Sequence, residues 1–315
     1  MKVFIGLLLG LLLGLVGWLV LSSSRFAPAT APVDGVSSPV NATADSVSGL
    51  SQRVEPMDLT GPFTFAGEPI PVEDFDVRER LDLELMRNAY FHRSTLLLLK
   101  RRARYFPTIE RILREEGVPD DLKYLAAAES NLAQARSPAG ARGVWQFMAP
   151  TARSYGLTVN EEVDERNHLE KSTRAAARYL KDYYEKYGDW RLVAAAYNMG
   201  GPNLDRWRDR QRAESIFDLD INAETMGYLF RIVAIKTILE DPQAFGYYVE
   251  PEEQYAPLTD VRTVTVTQSL PNLGDFARAQ GTTYRKLKLY NPWLMGGSLT
   301  VRGGQAYTLK LPPER

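Results

Sequence analysis

Apolar and polar positions along the chain follow three different rhythms. From Val3 to Leu21 the apolar residues run on without a charge, with Lys2 before them and Ser22-Ser23-Ser24-Arg25 after them. At about 1.5 Å per residue, a helix of this length crosses a bilayer core, which takes ~20 residues. The run exceeds the ~7–15 apolar residues of a signal peptide. We therefore expect residues 1–21 to be a membrane anchor, N-terminus inside and the remainder exported. Cleavage at Ala27-Pro28-Ala29 or Ala29-Thr30-Ala31 is the alternative, with proline adjoining each candidate. Gly6, Gly10 and Gly14 share one face of this helix and offer a close-packing surface for a weak dimer. Residues 22–61 are rich in Ser, Pro, Ala, Val and Thr and poor in large apolar groups, the composition of a flexible tether.

From Asp74 to Asp241 the apolar period is helical. Phe75 to Tyr105 gives one or two amphipathic helices, and Pro107 is expected to open another that ends at Gly117. Further helices are expected after Pro119-Asp120, then over Ala149–Tyr155, His168–Tyr187, Trp190–Asn198 and Glu224–Glu240. No period-2 pattern interrupts them, so residues 75–245 are read as an all-α domain. After Pro251 the rhythm changes again. Val261 to Val266 alternates and is β-branched, Leu273–Gln280 and Tyr284–Tyr290 read as short helices, and Ala306–Leu311 as a closing strand. Residues 260–312 thus form a small strand–helix–helix–strand unit.

Charge and composition remove several function classes. Lys and Arg total 38 against 39 Asp and Glu, so the chain lacks the basic excess of a nucleic-acid binder. The one dense basic run, Lys100-Arg101-Arg102-Ala103-Arg104, reads as a solvated helix face. The absence of cysteine argues against disulfides, thiol catalysis, cysteine-ligated metals and a lipid-modified N-terminal cysteine, so we expect the chain not to be a lipoprotein. His92 and His168 show no metal-ligand spacing and are read as surface or capping residues.

One residue breaks its local pattern. In Asp121-Leu122-Lys123-Tyr124-Leu125-Ala126-Ala127-Ala128-Glu129-Ser130, Glu129 continues the inward stripe of Leu122, Leu125 and Ala126. A carboxyl group in an apolar setting gains a partner or a raised pKa, and a protonated glutamic acid near neutral pH can serve as a general acid. A solvated residue at a helix end fits the same stripe, and the stripe alone favours it. Three segments give Glu129 company. In Gly143-Val144-Trp145-Gln146-Phe147 an amide lies between two aromatics, the materials of a sugar subsite. In Ala194-Ala195-Ala196-Tyr197-Asn198-Met199-Gly200-Gly201 the glycines can end a helix with a left-handed turn, leaving Asn198 to cap the chain or grip a ligand. Tyr228 shares a stripe with Ile232, Ile235 and Leu239; its ring belongs in a core, and its hydroxyl needs a buried partner such as a carboxyl group.

Taken in order and spacing, Glu129-Ser130, Gly143-Val144-Trp145-Gln146, Ala196-Tyr197-Asn198-Met199-Gly200 and Tyr228 resemble motifs of the family 1 lytic transglycosylases. Those motifs are Glu-Ser, Gly-Leu-Met-Gln, Ala-Tyr-Asn-x-Gly and Tyr. Asp164-Glu165-Arg166 and the segment from Glu170 to Leu180 extend the similarity over residues 75–240. The departures are Val144-Trp145 in place of Leu-Met, and Gly201 following Gly200. The C-terminal unit resembles a LysM module, with Asn291-Pro292 after its second helix; Gln268 to Leu273 replaces the usual Gly-Asp-Thr-Leu turn, which leaves sugar binding by this unit open.

The resemblance implies a mainly α protein: a goose-lysozyme-like helical catalytic domain with a small βααβ LysM-like module. It implies cleavage of the MurNAc–GlcNAc β-1,4 bond of peptidoglycan glycan strands in the bacterial cell envelope, giving 1,6-anhydro-MurNAc ends without metal or cofactor. Glu129 would act first as acid and then as base, Tyr228 would orient it, and Ser130, Gly143, Gln146, Tyr197 and Asn198 would form the sugar site. None of the family motifs supplies the second carboxylate of an ordinary glycosidase; Asp164 and Glu224 are read as helix-start residues. A muramidase-type hydrolase on the same scaffold and an inactive, membrane-tethered glycan-binding scaffold are the rival readings.

Overall fold

A computed structural model describes residues 55–314. The expected anchor at Val3–Leu21, the Gly6, Gly10 and Gly14 face, and most of the expected tether lie outside the described residues. Among the described residues no helix is long and apolar enough to cross a membrane.

The described chain is packed from Leu59, whose side chain is buried together with Phe63 and Phe65. A short antiparallel hairpin follows, β1 (Thr64–Phe65) and β2 (Glu68–Pro69), turning through Ala66 and Gly67 at positive φ. Asp121 fixes its tip by accepting from the Ala66 amide at 2.8 Å. The helices then run α1 (Phe75–Tyr90), α2 (His92–Glu115), α3 (Lys123–Ser130), α4 (Ala149–Ser154), α5 (Leu169–Tyr187), α6 (Trp190–Met199), α7 (Gly201–Gln211) and α8 (Ala223–Glu240). Tyr228 to Ile235, apart from Arg231, are buried all round α8, because α8 is the central helix against which α1, α3 and α6 pack.

Two expectations fail here for physical reasons, and one helix was not expected. Pro107 does not open a helix but sits within α2. It lies on the exposed side, where the carbonyl deprived of its partner can bind water and the helix tolerates the loss. The run Lys100–Arg104 is half-buried rather than a solvated face. Arg101 donates to the Asn131 carbonyl at 2.9 Å, Arg104 to that of Ala256 at 2.9 Å, and Arg102 to that of Leu239, so the guanidinium groups hold the ends of α3 and α8 and the segment at Ala256 against α2. Gly200 ends α6 at φ +83°, with its amide bonded to Ala196, yet the chain starts α7 at once through Gly201-Pro202. Only Gly201 and Leu204 of α7 are buried, so no apolar stripe announced it.

The C-terminal unit contains β3 (Arg262–Val266), α9 (Leu273–Ala279), α10 (Tyr284–Tyr290) and β4 (Tyr307–Leu311). β3 and β4 pair antiparallel, from Arg262 opposite Leu311 to Val266 opposite Tyr307. Leu273, Leu287, Leu294, Leu299, Leu309 and Leu311 form its core. Asn291 is buried and fully bonded: its amide donates to Leu287 and Lys310 carbonyls, and its Oδ1 accepts from the Lys310 amide at 2.8 Å. That amide ties the end of α10 to β4. One apolar member of this core, Val163, comes from the helical part of the chain.

Candidate active site

Pro119 and a short 3-10 turn at Asp120–Leu122 start α3, whose buried residues Leu125, Ala126 and Ala127 fix which way the helix faces. Its end is sharp. Asn131 and Leu132 both adopt left-handed backbone conformations, φ +53° and +52°, which L residues adopt at a cost. The Asn131 amide closes the helix on the Ala127 carbonyl at 2.8 Å, its side chain donates to the Ser94 carbonyl, and Leu132 is buried. Glu129 is thereby held, half-buried, on the last turn of α3.

From α8, the buried Tyr228 donates its hydroxyl hydrogen to Glu129 Oε1 at 2.6 Å. Burial pushes the Glu129 carboxyl above the usual carboxylate range; the Tyr228 hydrogen bond and the Arg231 guanidinium oppose that rise, and the Glu224 carboxylate reinforces it. The pairing leaves Oε2 as the oxygen able to carry a proton. Burial, together with the neighbouring Glu129 charge, pushes the Tyr228 and Tyr197 phenols well up, so both remain donors across the physiological range.

The segment Gly143–Phe147 is pinned from several sides. Gly143 has φ +79°, and a Cβ there would lie 1.9 Å from the Arg166 carbonyl oxygen, so only glycine fits. Gln146 is also left-handed, φ +48°, and its side-chain Nε2 donates to the Gly143 carbonyl at 2.8 Å and the Ala135 carbonyl at 3.2 Å. Tyr197 donates to the Trp145 carbonyl at 2.6 Å. Ser130 Oγ lies 2.9 Å from the Val144 carbonyl and 3.0 Å from the Ala126 carbonyl, so its hydroxyl fastens the loop to α3. The two aromatics flanking Gln146 are not exposed stacking surfaces. Trp145 is fully buried with Nε1 bonded to Thr173 Oγ1 at 2.9 Å, and Phe147 is buried as well. Their apolar bulk is worth more in the core than at a wet surface.

Asn198 neither caps α6, whose end is closed by the Gly200 amide, nor stands free: its Oδ1 accepts from Thr225 Oγ1 at 2.7 Å. It thus ties the end of α6 to α8 one turn before Tyr228. Asp164 starts a short 3-10 turn, as expected, and accepts from Arg166. Glu224 lies in the first turn of α8 and is exposed. His168 precedes α5, and His92 Nδ1 meets the Tyr247 hydroxyl at 3.1 Å.

Other residues of the neighbourhood escaped sequence reasoning. Arg166 is buried in a bidentate pair with Asp164, at 2.8 and 2.7 Å, and donates to the carbonyls of Gly140 and Phe147. Arg231 follows Tyr228 by three residues, and that spacing was the available signal. Its Nε lies 3.5 Å from Glu84, a buried carboxylate of α1 also bonded by Arg87. Gly227 makes room for Glu84, since a Cβ there would lie 3.2 Å from its Oε1. The whole is a protonatable carboxyl held by a phenol, beside a loop fixed largely through its backbone.

Both units of the chain are similar to known proteins. Residues 106–219 match the transglycosylase SLT domain, and residues 262–315 match the soluble lytic transglycosylase C-terminal LysM-like domain. Membrane-bound lytic murein transglycosylase D of Escherichia coli (strain K12) is 27% identical over 252 residues, covering 77% of this chain and 54% of that protein. Membrane-bound lytic murein transglycosylase F of Enterobacter sp. (strain 638) is 36% identical over 106 residues, 30% of this chain and 19% of that one. Among solved structures, the 70 kDa soluble lytic transglycosylase from Escherichia coli aligns with a TM-score of 0.39 and 19% identity, over 50% of this chain and 28% of that chain. The chain spans about half the length of the curated murein transglycosylase D it matches. It carries an SLT transglycosylase domain followed by a LysM-like C-terminal domain.

Proposed function

We propose that this protein is a peptidoglycan lytic transglycosylase that cleaves the MurNAc–GlcNAc β-1,4 bond and leaves 1,6-anhydro-MurNAc ends. The observation that carries the reading is the 2.6 Å hydrogen bond from Tyr228 to a Glu129 carboxyl whose pKa burial raises. Glu129 donates its proton to the leaving glycosidic oxygen. The carboxylate so formed is held by the Tyr228 hydroxyl and by the charge of Arg231, which stabilises the negative charge as it develops. It then takes the proton of the MurNAc C6 hydroxyl while that oxygen bonds C1, so no water enters. The substrate's acetamide stabilises the positive charge at C1. Gln146 and Tyr197 border the sugar site, Ser130 and Gly143 hold its loop, and Asn198 braces the base of α8.

A second reading has one observation behind it. Glu224 is exposed one helical turn before Tyr228 and acts electrostatically on Glu129, so a second carboxylate stands near the first. In a hydrolase it would activate water. Mass spectrometry of digested sacculi separates the two: anhydro ends support the transglycosylase, and only reducing ends sink it. We assign the protein to the cell envelope, catalytic domain in the periplasm, with the N-terminal apolar run as its membrane tie.

A further inference from the structure

The C-terminal unit is joined to the helical domain along a continuous seam at residues 162–170. The Met295 amide donates to the Glu162 carbonyl at 2.7 Å, and the Asp164 amide to the Trp293 carbonyl at 2.8 Å. Val163 pairs with Leu294 as an antiparallel bridge and buries its side chain in the unit's core. The Glu162 carboxylate accepts from the Ser298 hydroxyl and from the Thr300 amide at 2.9 Å. His168 stacks on Trp293, which stacks on Tyr307, with centroid separations of 5.8 and 5.6 Å. Glu170 pairs with Lys310 of β4. A flexibly tethered sugar-binding module would share neither its core nor its backbone hydrogen bonds with the enzyme.

The same segment builds the loop beside Glu129. The Arg166 carbonyl lies where a Cβ of Gly143 would be, and Arg166 donates to the Phe147 carbonyl at 3.0 Å. The Asn167 carbonyl accepts from Gln134. Met295 touches both sides of this joint: its sulfur lies 3.7 Å from Arg142 Nη1 and 3.6 Å from Asn167 Nδ2. Arg142 in turn closes the loop, its amide donating to the Phe147 carbonyl at 3.1 Å. We infer that the LysM-like unit is a positioning element of the catalytic site, with Glu162 and Met295 fixing residues 142–147 for the reaction. This rests on the proposed activity for its catalytic part only.

Hydrogen exchange and turnover in full-length protein test it together. In Glu162→Ala and in Met295→Ala, the amides of Arg142, Gly143 and Gln146 are expected to exchange about tenfold faster, as local opening becomes easier. Arg278→Ala, exposed on α9 away from the seam, leaves them unchanged. On a soluble peptidoglycan tetrasaccharide, kcat falls about tenfold in the two seam variants while KM and pelleting with sacculi stay as in the wild type. Unchanged exchange in both seam variants overturns the inference. So does a loss confined to sacculus pelleting, which marks an independent binding module. Wild-type protein inactive on both substrates, with exchange still responding to the seam variants, refutes the proposed activity and leaves the mechanical coupling standing.

Discussion

Tyr228→Phe removes one atom from the site and tests its central contact. The ring is buried and Phe refills its space, so packing survives; what disappears is a 2.6 Å O–H donor to a carboxyl group. That hydrogen bond favours the charged form of Glu129, as does Arg231, against burial and Glu224. Hydrogen bonds to charged groups contribute about 1.5–3 kcal/mol, and the charge of Glu129 appears on the way to the transition state. Losing the donor should therefore lower kcat about ten- to a hundredfold. The sign of the pH effect is equally fixed. Activity needs the protonated acid in the free enzyme, so kcat/KM falls as pH rises through the Glu129 pKa. Without its donor the carboxylate is less favoured, and the alkaline limb moves to higher pH. Turnover of purified glycan strands across pH, followed by chromatography of the products, reads both quantities. An unmoved limb, or one displaced to lower pH, would refute the reasoning, as would full activity in the variant.

Three further outcomes follow from the same geometry. Glu129→Gln should cut turnover by about 10²–10⁴-fold. It should also raise the melting temperature at neutral pH. A carboxyl with a raised folded pKa costs stability as pH climbs from the unfolded pKa through the folded one, so the gain should vanish below the unfolded value. Glu224→Gln should leave turnover within about threefold in a transglycosylase, where no second carboxylate is needed. Removing that charge should move the alkaline limb to lower pH; a hundredfold loss of turnover would favour the hydrolase. Gly143→Ala should destabilise the protein by about 2 kcal/mol or more, because both the positive φ and the Arg166 carbonyl oppose a Cβ. Denaturant unfolding checks it, and wild-type stability would show that the loop is not confined.

The contact between Glu129 and Tyr228 was legible only from two patterns taken together. The apolar stripe alone favours a solvated end residue for Glu129, and it is the tyrosine on another stripe, whose hydroxyl needed a partner such as a carboxyl group, that points to the pair. Both are one-dimensional patterns, and the fold sets the pair 99 residues apart in sequence into contact. The helical character of the chain was legible on the same grounds. What escaped depends on which side of an element faces water. Pro107 reads as a boundary until its exposure is known, and Trp145 and Phe147 read as sugar-facing until their burial is known. The arginines of α2 read as a solvated face because their carbonyl partners are supplied by segments distant in sequence. α7 escaped because its contacts with the core are few and its composition is polar. The role of Arg166 was hidden for another reason: it acts on backbone carbonyls, which carry no sequence identity.

The seam between the two units has a consequence for the order of events during synthesis. Arg142 and Met295 are 153 residues apart, so the loop beside Glu129 is translated long before the sulfur that braces it. Contacts of such sequence separation close late, after most of the chain has collapsed. A nascent or truncated chain would thus present its acid and its tyrosine with the neighbouring loop still unbraced. On the proposed reading, a lytic transglycosylase arranged in this way would gain full competence only once its C-terminal unit has docked, a built-in delay between making the chain and releasing its activity.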